Sequence, residues 1–377
     1  MITPESFYQN LTNSGIGFFS GVPDSLLKSF CAYLQDHCSD EEHLIAANEG
    51  SAIALGIGYH LATQRLPLIY MQNSGIGNAI NPLLSLADAE VYSIPMLLLV
   101  GWRGEPGTKD EPQHMKQGRI MKDLLKTLEI PFDNVNPNLS STQILNVLNT
   151  LIEKSFKNKS PAVLLVSKGT FESYTLKSTN ENSFQLLREE VIQLIVKSIL
   201  DKDVIVSTTG LASRELFEFR TSTNQNHSQD FLTVGGMGHA NQIALGIAIQ
   251  KKDRRVYCLD GDGALLMHMG SLVTNGSMKS QNFTHVLLNN SSHESVGGQP
   301  TPCNNIKIHK IAKEVGFAFC ETVRTKEELI TCIKKTQNIK GSVFIDVKLK
   351  NGFRANLGRP TKSPIQNKTE LMQFLNQ

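Results

Sequence analysis

Long apolar stretches are missing from this chain of 377 residues. The longest aliphatic run, Ile94 to Val100, falls far short of the roughly 20 residues that cross a bilayer. Met1 to Gly15 has no apolar core of the kind that marks a secretory leader. Net charge is nearly absent too: the formal value is +2, so no face has to be basic and nucleic acid is not an expected partner. Cysteine is sparse, and its six positions (Cys31, Cys38, Cys258, Cys303, Cys320, Cys332) include no Cys-x-x-Cys pair. That pattern reads as reduced thiols. Together these absences predict a soluble, cytoplasmic protein without membrane partners, in which triplets such as Asn10-Leu11-Thr12 carry no glycosylation meaning. What is present is ordinary: 40% apolar and 19% charged residues, enough for substantial cores, at a length that suggests two or three domains.

Short β-rich runs alternate with helical patterns along the whole chain, which predicts an α/β protein with parallel sheets. Candidate strands are Leu66-Tyr70, Met96-Val100 and Val163-Val166 in the first half, then Val204-Ser207, Val256-Leu259, His285-Leu288 and Val343-Val347. Apolar residues at three- and four-residue spacing mark helices at Ser51-Ala62, Ile120-Leu128 and Leu186-Leu200. Ser167 to Ser183 is polar and poor in aliphatics, the best place for a linker. Ala54-Leu55-Gly56-Ile57 recurs 190 residues later as Ala244-Leu245-Gly246-Ile247, in a second helix opened by a glycine (Gly50, then Gly238). Two related α/β domains are the expectation: 1–175, a linker at 176–185, and 186–377.

Chemistry concentrates at two strand ends. Gly261-Asp262-Gly263 follows the run Val256-Leu259, and 27 residues after Asp262 come Asn289-Asn290, behind Val286-Leu288. One helix returning to a neighbouring parallel strand spans that distance, so a carboxylate and a carboxamide emerge side by side at one sheet edge. Such oxygen donors can hold a hard cation and leave positions open for phosphate oxygens. Either half alone is an ordinary turn. As a pair at this spacing they resemble the thiamine-diphosphate-binding motif. Asn48-Glu49-Gly50 before the helix Ser51-Ala62 and the turn Gly235-Gly236-Met237-Gly238 resemble two further segments of thiamine-diphosphate-dependent 2-oxoacid decarboxylases.

Longer stretches narrow the resemblance. Gly21-Ser25, Gln72-Asn78, Gly101-Gly107, Lys109-His114 and Ser295-Thr301 look like the members of that family that act on 3-phosphonopyruvate, over the chain from about Gly15 to Asp346. There is no room for the central third domain of longer relatives, so two doubly wound, mainly parallel domains are implied: a pyrimidine-binding half and a diphosphate-binding half. The implied reaction is non-oxidative decarboxylation of 3-phosphonopyruvate to phosphonoacetaldehyde and CO₂, on the way to 2-aminoethylphosphonate. The implied cofactors are thiamine diphosphate and Mg²⁺ or another divalent cation.

The resemblance also assigns residues. Asp262, Asn290 and the Ser292 carbonyl would hold the cation, and Gly261, Gly263 and Ala264 would meet the diphosphate. Glu49 would hydrogen-bond the aminopyrimidine, Met237 would be the apolar prop that folds the two rings against one another, and the Gly235 carbonyl would accept from the pyrimidine amino group. Asp24 and His293 would handle protons near the reacting carbon, while Thr208 and Thr209, after the strand Val204-Ser207, could donate to the cofactor. For the phosphonate, the Gly/Pro-rich loop running from Arg103 to Arg119 offers Arg103, Lys109 and His114, beside Lys116. A homo-oligomer is implied, with each active site shared between subunits.

Rival readings fare less well. A sulfopyruvate decarboxylase would share the cofactor logic and exchange phosphonate for sulfonate. A nucleotide-dependent oxidoreductase needs a third glycine after Gly261-x-Gly263, and Leu266 stands there. A catalytically dead thiamine-binding protein would have no use for Glu49, Asp262 and Asn290 together.

Overall fold

The computed structural model describes residues 1–177 and 183–377, so residues 178–182 of the expected linker lie outside the described residues. The chain divides into two units, Met1–Thr179 with Ser295–Gln299, and Asn180–Glu294 with Pro300–Gln377. The first unit is built on β1 (Phe19–Gly21), β2 (His43–Ile45), β3 (Leu68–Gln72), β4 (Met96–Gly101), β5 (Phe132–Val135) and β6 (Pro161–Val166). The second is built on β7 (Val204–Ser207), β8 (Asp230–Leu232), β9 (Val256–Gly261), β10 (Phe283–Asn289), β11 (Phe319–Val323) and β12 (Val343–Lys348). All strand pairs in both sheets are parallel. The strand orders are β2-β1-β3-β4-β6-β5 and β11-β12-β10-β9-β7-β8. Counted from the first strand of each unit, both orders are the same, 2-1-3-4-6-5.

That identity gives the internal sequence echo a structural meaning. The helices Glu49–Thr63 and Ala240–Gln250, which carry the repeated Ala-Leu-Gly-Ile, each follow the second strand of their unit. Parallel sheets bury both faces, so their central strands are apolar throughout rather than alternating. In β4, Leu97 and Leu99 join one buried cluster of the first unit and Met96, Leu98 and Val100 join the other. The second unit repeats the division, with Tyr257 and Leu259 of β9 on one side and Val256 and Cys258 on the other.

The seven expected strands are all present, within a few residues at their ends. Five shorter or edge strands were not expected. Three of them (β1, β2 and β8) have only three residues each, too few to show a period. The expected helix Ile120-Leu128 begins earlier, at Pro112, and runs to Thr127. Proline sits at its first turn, where its missing N–H costs nothing. His114, Gly118, Met121 and Leu125 form the buried stripe. The loop after Arg103 therefore ends at Glu111, and Lys116 and Arg119 are exposed helical residues. Among the described residues no helix is long and apolar enough to cross a membrane.

Candidate functional site

In the second unit β9 and β10 run in register, with Leu288 opposite Gly261, so their carboxyl ends lie abreast. Asp262 opens the short helix Asp262–Met267 directly after β9, and Asn290 follows the last residue of β10. The Asp262 side chain is buried, 3% exposed. It accepts the Thr301 hydroxyl, and the backbone amides of Asp262, Gly263 and Ser292 favour its charged form; all of these are neutral. Burial, only partly offset by those donors, pushes its carboxyl up to about 6. The Asn290 Oδ1 accepts the Ser292 amide at 3.2 Å.

The Met237 turn reaches the same place. Gly235, Gly236 and Gly238 all adopt positive φ (72°, 56° and 86°), a backbone path that only glycine follows without strain. The Gly235 amide donates to Thr209 Oγ1 at 2.9 Å, tying this turn to the end of β7. A Cβ built on Gly263 would lie 3.0 Å from the His293 ring and 3.4 Å from Met237 Cε. The structure thus brings Met237, Gly263 and His293 together around a backbone left bare by glycine. Burial drives the His293 imidazole down to about 4, so it is neutral near pH 7. Thr208 is buried, and its amide pairs with Leu259 as part of the sheet.

Beneath this edge, register sets Cys258 beside His285, with Asp260 two residues on. Donor atoms of these three buried side chains lie within 4.8 Å of one another. Asp260 already accepts the Gly261 amide at 3.0 Å and stands 3.3 Å from His285 Nε2. Burial, with Asp260 beside it, keeps the Cys258 thiol protonated. We read the group as a polar brace under the Gly261-Asp262 turn.

In the first unit Glu49 begins its helix, whose N-cap Asn48 accepts the Ser51 amide at 2.9 Å. The Glu49 side chain is buried and its Oε2 accepts Asn78 Nδ2 at 2.8 Å. A Cβ on Gly75 would overlap the Glu49 carboxylate. The stretch Gln72-Asn78 therefore both makes room for Glu49 and holds it. The sequence alone assigns no role to Asn78. The same holds for Thr301, the donor to Asp262.

Asp24 lies just past β1, 1% exposed. Its Oδ2 accepts the Leu26 amide at 2.9 Å, while Oδ1 has no hydrogen-bond partner among the described residues. Burial raises its carboxyl to about 6, against the pull of the Leu26 amide and of Arg103. With the folded-state pKa above the unfolded value of 3.8, ionisation favours unfolding. The penalty is absent well below pH 4 and complete above about pH 6, at roughly 3 kcal/mol. Asp24→Asn should therefore gain stability over the parent at pH 8, and the gain should fade as pH drops towards 4. Urea midpoints at the two pH values check this; a difference independent of pH would contradict the burial.

Arg103 is less available than its sequence context suggests. Its Nε and Nη2 donate to Asp110 at 2.8 and 2.5 Å, and its Nη1 donates to Ser25 Oγ at 2.8 Å. Asn73, just past β3, bonds both the Arg103 carbonyl and amide, at 2.8 and 3.2 Å. The guanidinium is an internal clamp of the loop, with only its remaining N–H groups to offer. Lys109 is exposed on the same loop. His114 is buried in the helix Pro112–Thr127, neutral because burial and then Arg103 push it down to about 4, and its Nδ1 has no hydrogen-bond partner among the described residues.

The donor set of the second unit fits a divalent cation with a diphosphate. It offers a buried carboxylate with neutral partners, a carboxamide beside it, and helix-start amides next to bare glycine backbone. Residues 1–126 match the family model described as the thiamine pyrophosphate enzyme N-terminal TPP binding domain, and residues 208–347 match the C-terminal TPP binding domain. The chain belongs to the thiamine pyrophosphate enzymes, as a decarboxylase. It is 29% identical to a phosphonopyruvate decarboxylase of Streptomyces viridochromogenes, over 97% of this chain and 93% of that protein. A sulfopyruvate decarboxylase of Methanosarcina acetivorans is 24% identical over 92% of this chain and 91% of its own length. The beta subunit of a sulfopyruvate decarboxylase from Methanocaldococcus jannaschii is 36% identical over 37% of this chain and 72% of that subunit.

Proposed function

We propose that this protein decarboxylates 3-phosphonopyruvate to phosphonoacetaldehyde and CO₂, using thiamine diphosphate and Mg²⁺ or a similar divalent cation. The observation that carries the cation and diphosphate reading is the buried Asp262 carboxylate with only neutral donors around it. The substrate reading rests on similarity to phosphonopyruvate decarboxylases over nearly the whole chain.

Asp262, Asn290 and the Ser292 carbonyl would hold the cation, and Gly261, Gly263 and Ala264 would face the diphosphate. Met237, the Gly235 carbonyl and Thr209 would position the rings, and Glu49 would hydrogen-bond the aminopyrimidine. When bound, thiamine diphosphate supplies the sink for the electron pair released as CO₂ departs. Replacing a carboxylate by hydrogen consumes one proton. Asp24, poised near pH 6, is the group assigned to deliver it, and His293, neutral, can accept or relay one. Lys109 and the free N–H groups of Arg103 are the cationic donors for the phosphonate, with the His114 ring as a neutral one. The working form is proposed to be a homo-oligomer in which one cofactor draws on domains of different subunits.

The test is CO₂ and aldehyde release by purified protein with thiamine diphosphate and Mg²⁺ on phosphonopyruvate, sulfopyruvate and pyruvate. Selective turnover of phosphonopyruvate is expected. A preference for sulfopyruvate, favoured by the second group of relatives, would replace the substrate and leave the chemistry.

A further inference from the structure

One carboxylate, Glu294, ties the loop that carries Asn290 to distant parts of its unit. Glu294 Oε2 accepts the Asn290 Nδ2 at 3.3 Å and the Arg188 Nη1 at 2.6 Å. Its other oxygen, Oε1, accepts the Gly352 amide beyond β12. Arg188, in the first turn of the helix Arg188–Ser198, is itself held on its other edge by Glu215. Its Nε donates to Glu215 Oε2 at 2.8 Å and its Nη2 to Oε1 at 3.0 Å. Side-chain exposures of 10% for Arg188, 1% for Glu215 and 12% for Glu294 show that the three are largely withdrawn from water.

This geometry bears on a property of asparagine. A carboxamide has a donor end and an acceptor end of nearly the same shape, and only its hydrogen-bond partners decide which faces where. A cation needs the acceptor end. Here the acceptor end takes the Ser292 amide at 3.2 Å, and the donor end is engaged by a carboxylate, which cannot donate and so adds its own rejection of the flipped amide. The same carboxylate is fixed by a guanidinium held in a two-point pair, so it does not swing away.

We propose that Glu294, locked by the Arg188–Glu215 pair, is a positioning residue for the divalent cation: it sets the orientation of the Asn290 carboxamide so that Oδ1 is presented as a ligand. This rests on the reading that Asp262, Asn290 and Ser292 hold the cation. Glu294 itself is not a ligand and does not touch the reacting atoms. Hydrogen-bond partners of this outer kind are worth 10–100-fold in metal affinity.

The experiment titrates Mn²⁺ into the purified full-length protein with saturating thiamine diphosphate, following free Mn²⁺ by electron paramagnetic resonance, with thermal melts in parallel. Glu294→Ala should weaken Mn²⁺ binding by about 10–100-fold. Glu294→Gln keeps one acceptor oxygen, which can serve the Asn290 and Arg188 side or the Gly352 side but not both, and should recover part of that loss. In an Asn290→Ala background, Glu294→Ala should add little, because the effect travels through Asn290; a purely structural role would lower the melting temperature and leave Mn²⁺ affinity and this coupling unmoved. Asp262→Asn separates the two readings. If Asp262→Asn loses Mn²⁺ while both Glu294 variants bind it like the parent, the positioning role is overturned and the cation site stands. If Asp262→Asn binds Mn²⁺ like the parent, the cation site itself falls, and the proposal with it.

Discussion

Glu49→Gln is expected to bind thiamine diphosphate like the parent and to turn over roughly 10²–10⁴-fold more slowly, the range that a positioned acid or base supplies. The substitution is nearly isosteric. A glutamine oxygen can still accept from Asn78, as Glu49 Oε2 does at 2.8 Å, and the planar side-chain end still fits against Gly75. What disappears is the ability to carry a negative charge and exchange a proton with the aminopyrimidine. Calorimetric cofactor titration and steady-state rates on the same preparations check it. Parent-like turnover would remove Glu49 from the mechanism, whereas loss of cofactor binding would recast it as a binding residue.

Asp262→Asn should have the largest effect on loading, and its sign on stability should depend on what is bound. In the absence of cation and cofactor, the parent holds an ionised carboxylate in a buried place above about pH 6, against its preference. The asparagine variant is relieved of that cost, so at pH 8 its unliganded form should melt higher than the parent. With Mg²⁺ and thiamine diphosphate the order should reverse, because ligands stabilise only the form that binds them. Cation affinity should fall by more than the 10–100-fold typical of an outer hydrogen-bond partner. Paired melts with and without ligands measure both halves of this prediction. The absence of a reversal would mean that Asp262 is not where the cation binds.

The second unit's site was legible because of where it sits. A strand buried on both faces reads as an uninterrupted apolar run, so the polar residues at its end, Asp262 after β9 and Asn290 after β10, stand out by contrast. β1 and β2 gave no such signal with three residues each, and Asp24 and Glu49 beside them needed the family resemblance to be singled out. The helix beginning at Pro112 was hidden by its own proline, which marks a break inside a helix and a beginning at its first turn. The partners of the site were illegible for a different reason. Asn78 meets Glu49 across 29 residues, Thr301 meets Asp262 across 39, and Arg188 meets Glu294 across 106. Nothing local couples such pairs; only the folded sheet does.

The division of labour between the four buried clusters has a thermodynamic side. Two lie wholly in the first unit and two wholly in the second. Each half thus carries apolar clusters of its own, and apolar burial is the main force for folding, while all-or-none unfolding is expected of small single domains. The stability of this chain is then a pair of quantities. A substitution then registers first in the transition of the half that carries it, whereas a cofactor that draws on both kinds of half stabilises both.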